Sequence, residues 1–155
     1  MTDDTAAIQL AISDGGRCGA NCGSSTIYPA TVYFPAGTYL VSSSITQYFN
    51  TELIGNSLSY PAIVASPSFV GLGVISSNFY TSPQSEWYLS TNKFLRSIRN
   101  LIIDVRATPQ DTQVCGIHWQ VAQATFLEGI YFFMTEPSDN PDNTQQVRRS
   151  PPQHS

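Results

Sequence analysis

Charge is scarce in these 155 residues: Asp, Glu, Lys and Arg make up 12%, about half the share in an ordinary globular domain. Lys93 is the only lysine, and Arg148-Arg149 is the only adjacent basic pair. With a net charge of −4, no basic patch is present to neutralise a phosphate backbone, so nucleic acid is not an expected partner. No apolar run approaches the roughly 18 residues of a membrane span. Met1 is followed by Thr2, Asp3 and Asp4, not by the basic and then apolar stretch of a secretory leader. That fits residence inside the cell or a start that lies elsewhere. Clustered acids are missing as well. Glu86, Asp104, Asp111 and Glu128 are dispersed, and the adjacent Asp3-Asp4 pair suits a helix cap better than a catalytic pair. Cysteine is limited to Cys18, Cys22 and Cys115, too few ligands for a zinc site.

What the chain does have favours strands. Hydrophobic residues reach 41%, and Ser and Thr together number 33. β-Branched, aromatic and hydroxyl side chains suit a pleated, half-buried surface. Thr31–Phe34, Thr38–Val41, Thr51–Ile54, Ala62–Ala65 and Gly73–Ile75 are short strand-like runs, with Pro35-Ala36-Gly37 a turn between the first two. Only the start is helical: Ala7, Ile8, Ala11 and Ile12 recur on one face, and Gly15-Gly16 stops the helix. No later helical pattern intervenes, which argues against βαβ units.

A weak internal repeat is visible. Ile98, Leu101 and Ile103 match Leu127, Ile130 and Phe132 at a spacing of 29, from 98 to 127. Repeats of that length are a signature of stacked units that cannot bury their apolar faces singly. Residues 1–134 are read as one partial domain. From Thr135 apolar content almost vanishes, and 135–155 is expected to be a disordered polar tail.

Two segments resemble the pectate-lyase superfamily. Thr2-Asp3-Asp4-Thr5-Ala6-Ala7-Ile8-Gln9 is similar to its Gly-Asp-Gly-x-Thr-Asp-Asp-Thr opening, with the Gly-Asp-Gly part absent. Val32-Tyr33-Phe34-Pro35-Ala36-Gly37-Thr38-Tyr39 resembles the hairpin that follows it. Further segments are narrower: Arg17–Thr26, Glu86-Trp87-Tyr88, Phe94–Asp104 and Gly116–Thr125 resemble glycoside hydrolase family 55, fungal β-1,3-glucanases. Gly116-Ile117-His118-Trp119-Gln120-Val121-Ala122-Gln123 is the most specific of them. The resemblance covers about residues 2–133.

It implies an all-β fold, a partial right-handed single-stranded parallel β-helix with a short N-terminal helix. It also implies an extracellular protein acting on β-1,3-glucan by inverting hydrolysis. Members are much longer and carry two such domains; their catalytic acid is a Glu in the second. The expectation is therefore an N-terminal fragment, inactive alone, with no catalytic residue and no cofactor. A non-catalytic carbohydrate-binding or structural module, or a pectin-degrading relative, are the alternatives. A calcium-dependent lyase is disfavoured by the missing acidic cluster.

Gln120 and Gln123 are the substrate-binding candidates, because an amide both donates and accepts without adding charge. The alternative is structural hydrogen bonding in turns. Trp119 can stack on a sugar ring or be buried. His118, with no second His or carboxylate near it in sequence, reads as structural. In an extracellular protein Cys18 and Cys22 are expected to form a disulfide, and Cys115 to be a buried thiol.

Overall fold

The computed structural model describes residues 1–17, 19, 29–82, 85–87, 94–120, 124–136 and 142–149. Cys18, Cys22 and Gln123 lie outside the described residues, so the disulfide and one binding candidate are not addressed by it.

Among the described residues the fold is all-β apart from one short helix. Helix α1 spans Thr5–Ser13, followed by β1 (Ala30–Phe34), β2 (Thr38–Thr46), β3 (Thr51–Gly55) and β4 (Ala62–Ser76). Next come β5 (Tyr80–Ser82), β6 (Ser85–Glu86), β7 (Ser97–Asp104), β8 (Cys115–His118), β9 (Phe126–Phe133) and β10 (Gln146–Arg149). Strands β5 and β6 form an antiparallel pair; all the other described pairings are parallel.

Parallel pairing puts like residues in rows. One row runs Val32, Leu53, Ile98, Leu127. A second runs Tyr39, Ile63, Ile103, Phe132, and a third Ile45, Ile75, Ile117. Their central members are fully buried. The repeat found in the sequence is the pairing of β7 with β9: every partner pair from Ser97↔Phe126 to Asp104↔Phe133 keeps the spacing of 29. The first part of β7 lies on β3 and its last part on β4. Asn100, at φ 57°, stands between the two parts.

Helix α1 covers one end of the stack. Of its expected apolar face only Ile8 and Ile12 are buried; Ala7 and Ala11 are exposed, because the helix meets the sheet along a narrow line. Asp4 is the N-cap residue but makes no side-chain capping bond; Asp3 Oδ1 accepts from Thr5 N–H at 2.9 Å, and both acids also reach β2. Leu40 N–H donates to Asp4 Oδ2 at 3.1 Å and Ser42 N–H to Thr5 Oγ1 at 2.9 Å, while Ser42 Oγ donates to Asp3 Oδ2. The Gln9 amide bridges Thr46, accepting from its N–H at 2.9 Å and donating to its C=O at 3.1 Å. These side chains occupy backbone groups on the edge of β2 that would otherwise offer a pairing site.

Within 135–155 the described residues are 135–136 and 142–149. Gln145 is buried, its Nε2 donating to Val105 O at 3.0 Å, and Gln146–Arg149 pairs with β8.

Candidate functional site

A cavity arises where β4 outgrows its neighbour. Val41 faces Ala65, Ser43 faces Val70 and Ile45 faces Ile75, so β4 carries extra residues at two successive irregularities. Such bulges bend a strand and re-aim side chains. Here they raise Val70 and Leu72 into solvent beside Ser43 and Ser44, as one wall of an open pocket of about 360 Å³. The other wall is Ser76, Asn78, Phe79, Tyr80 and His118. A tight contact fixes the wall behind it: a Cβ added at Gly73 would fall 2.6 Å from His118 N, so only glycine lets β4 approach β8 this closely.

The polar groups form one connected network. Ser76 Oγ donates to Asn78 O, and lies 3.1 Å from His118 Nδ1. Which of the two donates follows from the imidazole tautomer. Gln120 N–H donates to Ser77 Oγ at 2.9 Å, and Gln120 Oε1 accepts from Asn78 Nδ2 at 2.7 Å. Gln120 Nε2 donates to the Tyr80 hydroxyl. The Tyr80 and His118 rings lie 6.0 Å apart, tilted by 39°.

The sequence candidates are therefore distributed unevenly. Gln120 is buried behind the pocket, both ends of its amide engaged, and it orients Asn78 and Tyr80 rather than lining the cavity. Trp119 belongs to the core, with its Nε1–H directed to Thr125 Oγ1 at 3.3 Å; no face is presented to a sugar. His118 is buried and structural in its bond to Ser76, yet it also lines the pocket. Asn78, Tyr80 and the serines were not singled out. The signal available was Ser76-Ser77-Asn78-Phe79-Tyr80, a polar and aromatic cluster at a strand end. Cys115 is buried as expected, its thiol donating to Leu72 O at 3.0 Å. Glu128 is exposed.

Among the described residues, no carboxylate, lysine or arginine lines this pocket. The perturbed acids lie elsewhere. Burial raises the Asp104 carboxyl, but hydrogen bonds and charge from Arg106 outweigh it and hold the group below its ordinary value. The Ser42 hydroxyl, with Thr5, lowers Asp3 to about 2. Both are structural clamps. The pocket can bind a neutral polyhydroxylated ligand through hydroxyl, amide and imidazole groups, with Phe79 and Tyr80 exposed at its rim as stacking surfaces.

Comparison with known proteins matches residues 1–150 to the family described as rhamnogalacturonase A/epimerase, pectate lyase-like. A Penicillium expansum protein named non-secreted LysM effector LysM15 is 69% identical over 136 residues, 88% of this chain and 10% of its own length. An Arthroderma benhamiae protein named probable glucan endo-1,3-beta-glucosidase is 52% identical over 135 residues, 87% of this chain and 15% of its own. The chain thus spans only a small part of the relatives it matches. Among solved structures, a chain titled Geobacillus virus E2 - ORF18 superposes with a TM-score of 0.56 at 24% identity, covering 84% of this chain and 22% of that one; this likeness concerns the fold alone.

Proposed function

The chain belongs to the rhamnogalacturonase A/epimerase, pectate-lyase-like family, and from that membership we propose that it is the saccharide-binding part of a glycoside hydrolase acting on β-1,3-glucan. The observation that carries this is the pocket of Ser43, Ser44, Asn78, Tyr80 and His118, with no acid, lysine or arginine among its described lining residues. Neutral glucose units need hydroxyl partners and an aromatic rim, whereas uronic acid units of pectin call for cationic side chains. The glucanase name of the Arthroderma relative supports the same substrate class.

The fold proposal goes with it: the strand rows are coils of a partial right-handed single-stranded parallel β-helix within residues 1–134. The spacing of 29 between β7 and β9 supports it, as does the way β7 passes from the β3 row to the β4 row. Right-handed connection is the rule for parallel strands.

Inverting hydrolysis uses two carboxyl groups about 6.5–9.5 Å apart, and the described residues of the pocket lining include none. The proposal is therefore that these 155 residues bind without cleaving, as a fragment whose proton donor is supplied by other polypeptide. The same absence favours a second reading, a non-catalytic carbohydrate-binding module. Placement outside the cell is part of the first reading, although the Penicillium relative carries the name non-secreted.

The test is titration of the purified chain with laminarin, alongside an assay for released glucose. Binding without release is expected. Release of glucose overturns the inactivity proposal, and no binding overturns the glucan proposal. To separate the two readings, Tyr80→Ala is placed in a longer relative: lower kcat/KM on laminarin supports the hydrolase, unchanged turnover the module.

A further inference from the structure

One buried polar atom of a pocket-lining residue has no partner. Asn78 is 2% exposed and lines the pocket, yet its Oδ1 has no hydrogen-bond donor among the described residues. Its other amide end is committed, Nδ2 donating to Gln120 Oε1 at 2.7 Å. Its backbone is committed too: Asn78 N–H donates to Ser76 Oγ at 3.3 Å, and Asn78 O accepts from the same hydroxyl. Three of its four polar groups are thus tied to neighbours, which leaves one acceptor unmatched. Buried acceptors are rarely left so.

Only a few other described buried side-chain atoms share this state. Gln47 Oε1 is one: Gln47 is fully buried, its Nε2 donating to Thr51 O at 2.8 Å and Ser97 O at 3.0 Å, but it lies on neither described pocket. The difference in place matters. An unmatched acceptor deep in the core can only be met from within the protein, whereas one on a pocket-lining residue can be met when an occupant reorders that residue.

We infer that Asn78 is a specificity-determining residue of the pocket: its Oδ1 accepts a hydrogen bond from a hydroxyl of a bound neutral saccharide. The inference deepens the saccharide-binding reading and rests on it. Gln120 is then a positioning residue, because its Oε1 holds Asn78 Nδ2 and so sets which amide end meets the ligand. A site built around an unmatched acceptor discriminates strongly against a ligand that cannot supply the donor.

The experiment uses the 155-residue chain and laminaribiose as probe. In the unmodified protein, NMR is expected to show the Asn78 side-chain amide signals shifting on titration while those of Gln47 stay still. In Asn78→Leu, of similar volume, Kd is expected to weaken at least about tenfold, or about 1.4 kcal/mol. If the variant does not fold, the amide shifts in the unmodified chain decide. Two outcomes overturn the inference. If laminaribiose perturbs Tyr80 and His118 but leaves Asn78 still, or binds Asn78→Leu as tightly, the role assigned to Asn78 is wrong and the saccharide reading stands. If laminaribiose perturbs no pocket residue, both fall together.

Discussion

Asn100 and Gly129 are neighbours across β7 and β9, and both hold left-handed backbone, at φ 57° and 62°. They mark the point where each strand leaves one row and enters the next. A Cβ at Gly129 would lie 2.9 Å from Asn100 Oδ1 and 3.0 Å from the Tyr60 hydroxyl. Asparagine and glycine are the residues that tolerate this conformation. The bend is therefore written into both layers by residue choice.

Gly129→Ala is expected to destabilise the chain by roughly 1–3 kcal/mol, from left-handed backbone and crowding together. Asn100→Gly keeps the conformation accessible and should change stability by less than about 1 kcal/mol. Urea unfolding of the two variants tests the pair. Equal losses would mean that the bend is not the controlling feature.

Leu95 and Ala124 occupy the equivalent strand-entry position in successive layers, at φ 55° and 50°, in line with Asn50 at 50°. All three line a second pocket, of about 240 Å³. Leucine is poorly suited to this backbone, and Leu95 is exposed, so little packing is lost on replacing it. Leu95→Asn should stabilise the chain by about 0.5–1 kcal/mol. A lower denaturation midpoint in the variant would show that the leucine makes a contact outweighing the strain.

Acid should loosen the helical end of the stack. The folded Asp3 carboxyl sits near 2 because Ser42 and Thr5 donate to it, whereas in the unfolded chain it takes about 3.9. A depressed folded value means stability present in full above the unfolded value and lost as pH falls through the folded one. The Asp3 contribution should thus fade from about pH 4 to pH 2. Thermal unfolding of the wild type and Asp3→Asn at pH 5 and pH 2 measures it; the variant should show the smaller pH dependence. Matching slopes would remove Asp3 from the account.

The rows of the fold were legible because inward residues of stacked strands must be apolar at a constant spacing, as in 98/127, 101/130 and 103/132. Ala62–Ala65 and Gly73–Ile75 read as separate strands because the exposed Pro67, Ser68, Gly71 and Leu72 break the pattern; they are one irregular strand, β4. That irregularity builds the pocket, and its partners are set by register with β2 and β8, which no local pattern encodes. Gln120 stood out for an amide that both donates and accepts, but its role in holding Asn78 and Tyr80 required knowing that 78 and 120 meet. The edge-binding roles of Asp3, Asp4 and Gln9 were hidden for the same reason: each bonds to a residue some 36 to 39 positions away.

The open side of the stack gives the sharpest test of layering. Ile103 and Phe132 are partners in one row, but Ile103 is fully buried between Ile63 and Phe132 while Phe132 is half-buried, with no described strand beyond β9. By size alone phenylalanine should be the costlier loss. Coverage predicts the reverse: Ile103→Ala should cost about 2–5 kcal/mol, and Phe132→Ala about 1–2 kcal/mol, since only part of its area leaves water. Chemical denaturation at several protein concentrations compares them. Should Phe132→Ala cost as much as Ile103→Ala, the outer face of β9 is covered in solution, and a midpoint that rises with concentration would assign the cover to a second copy of the chain.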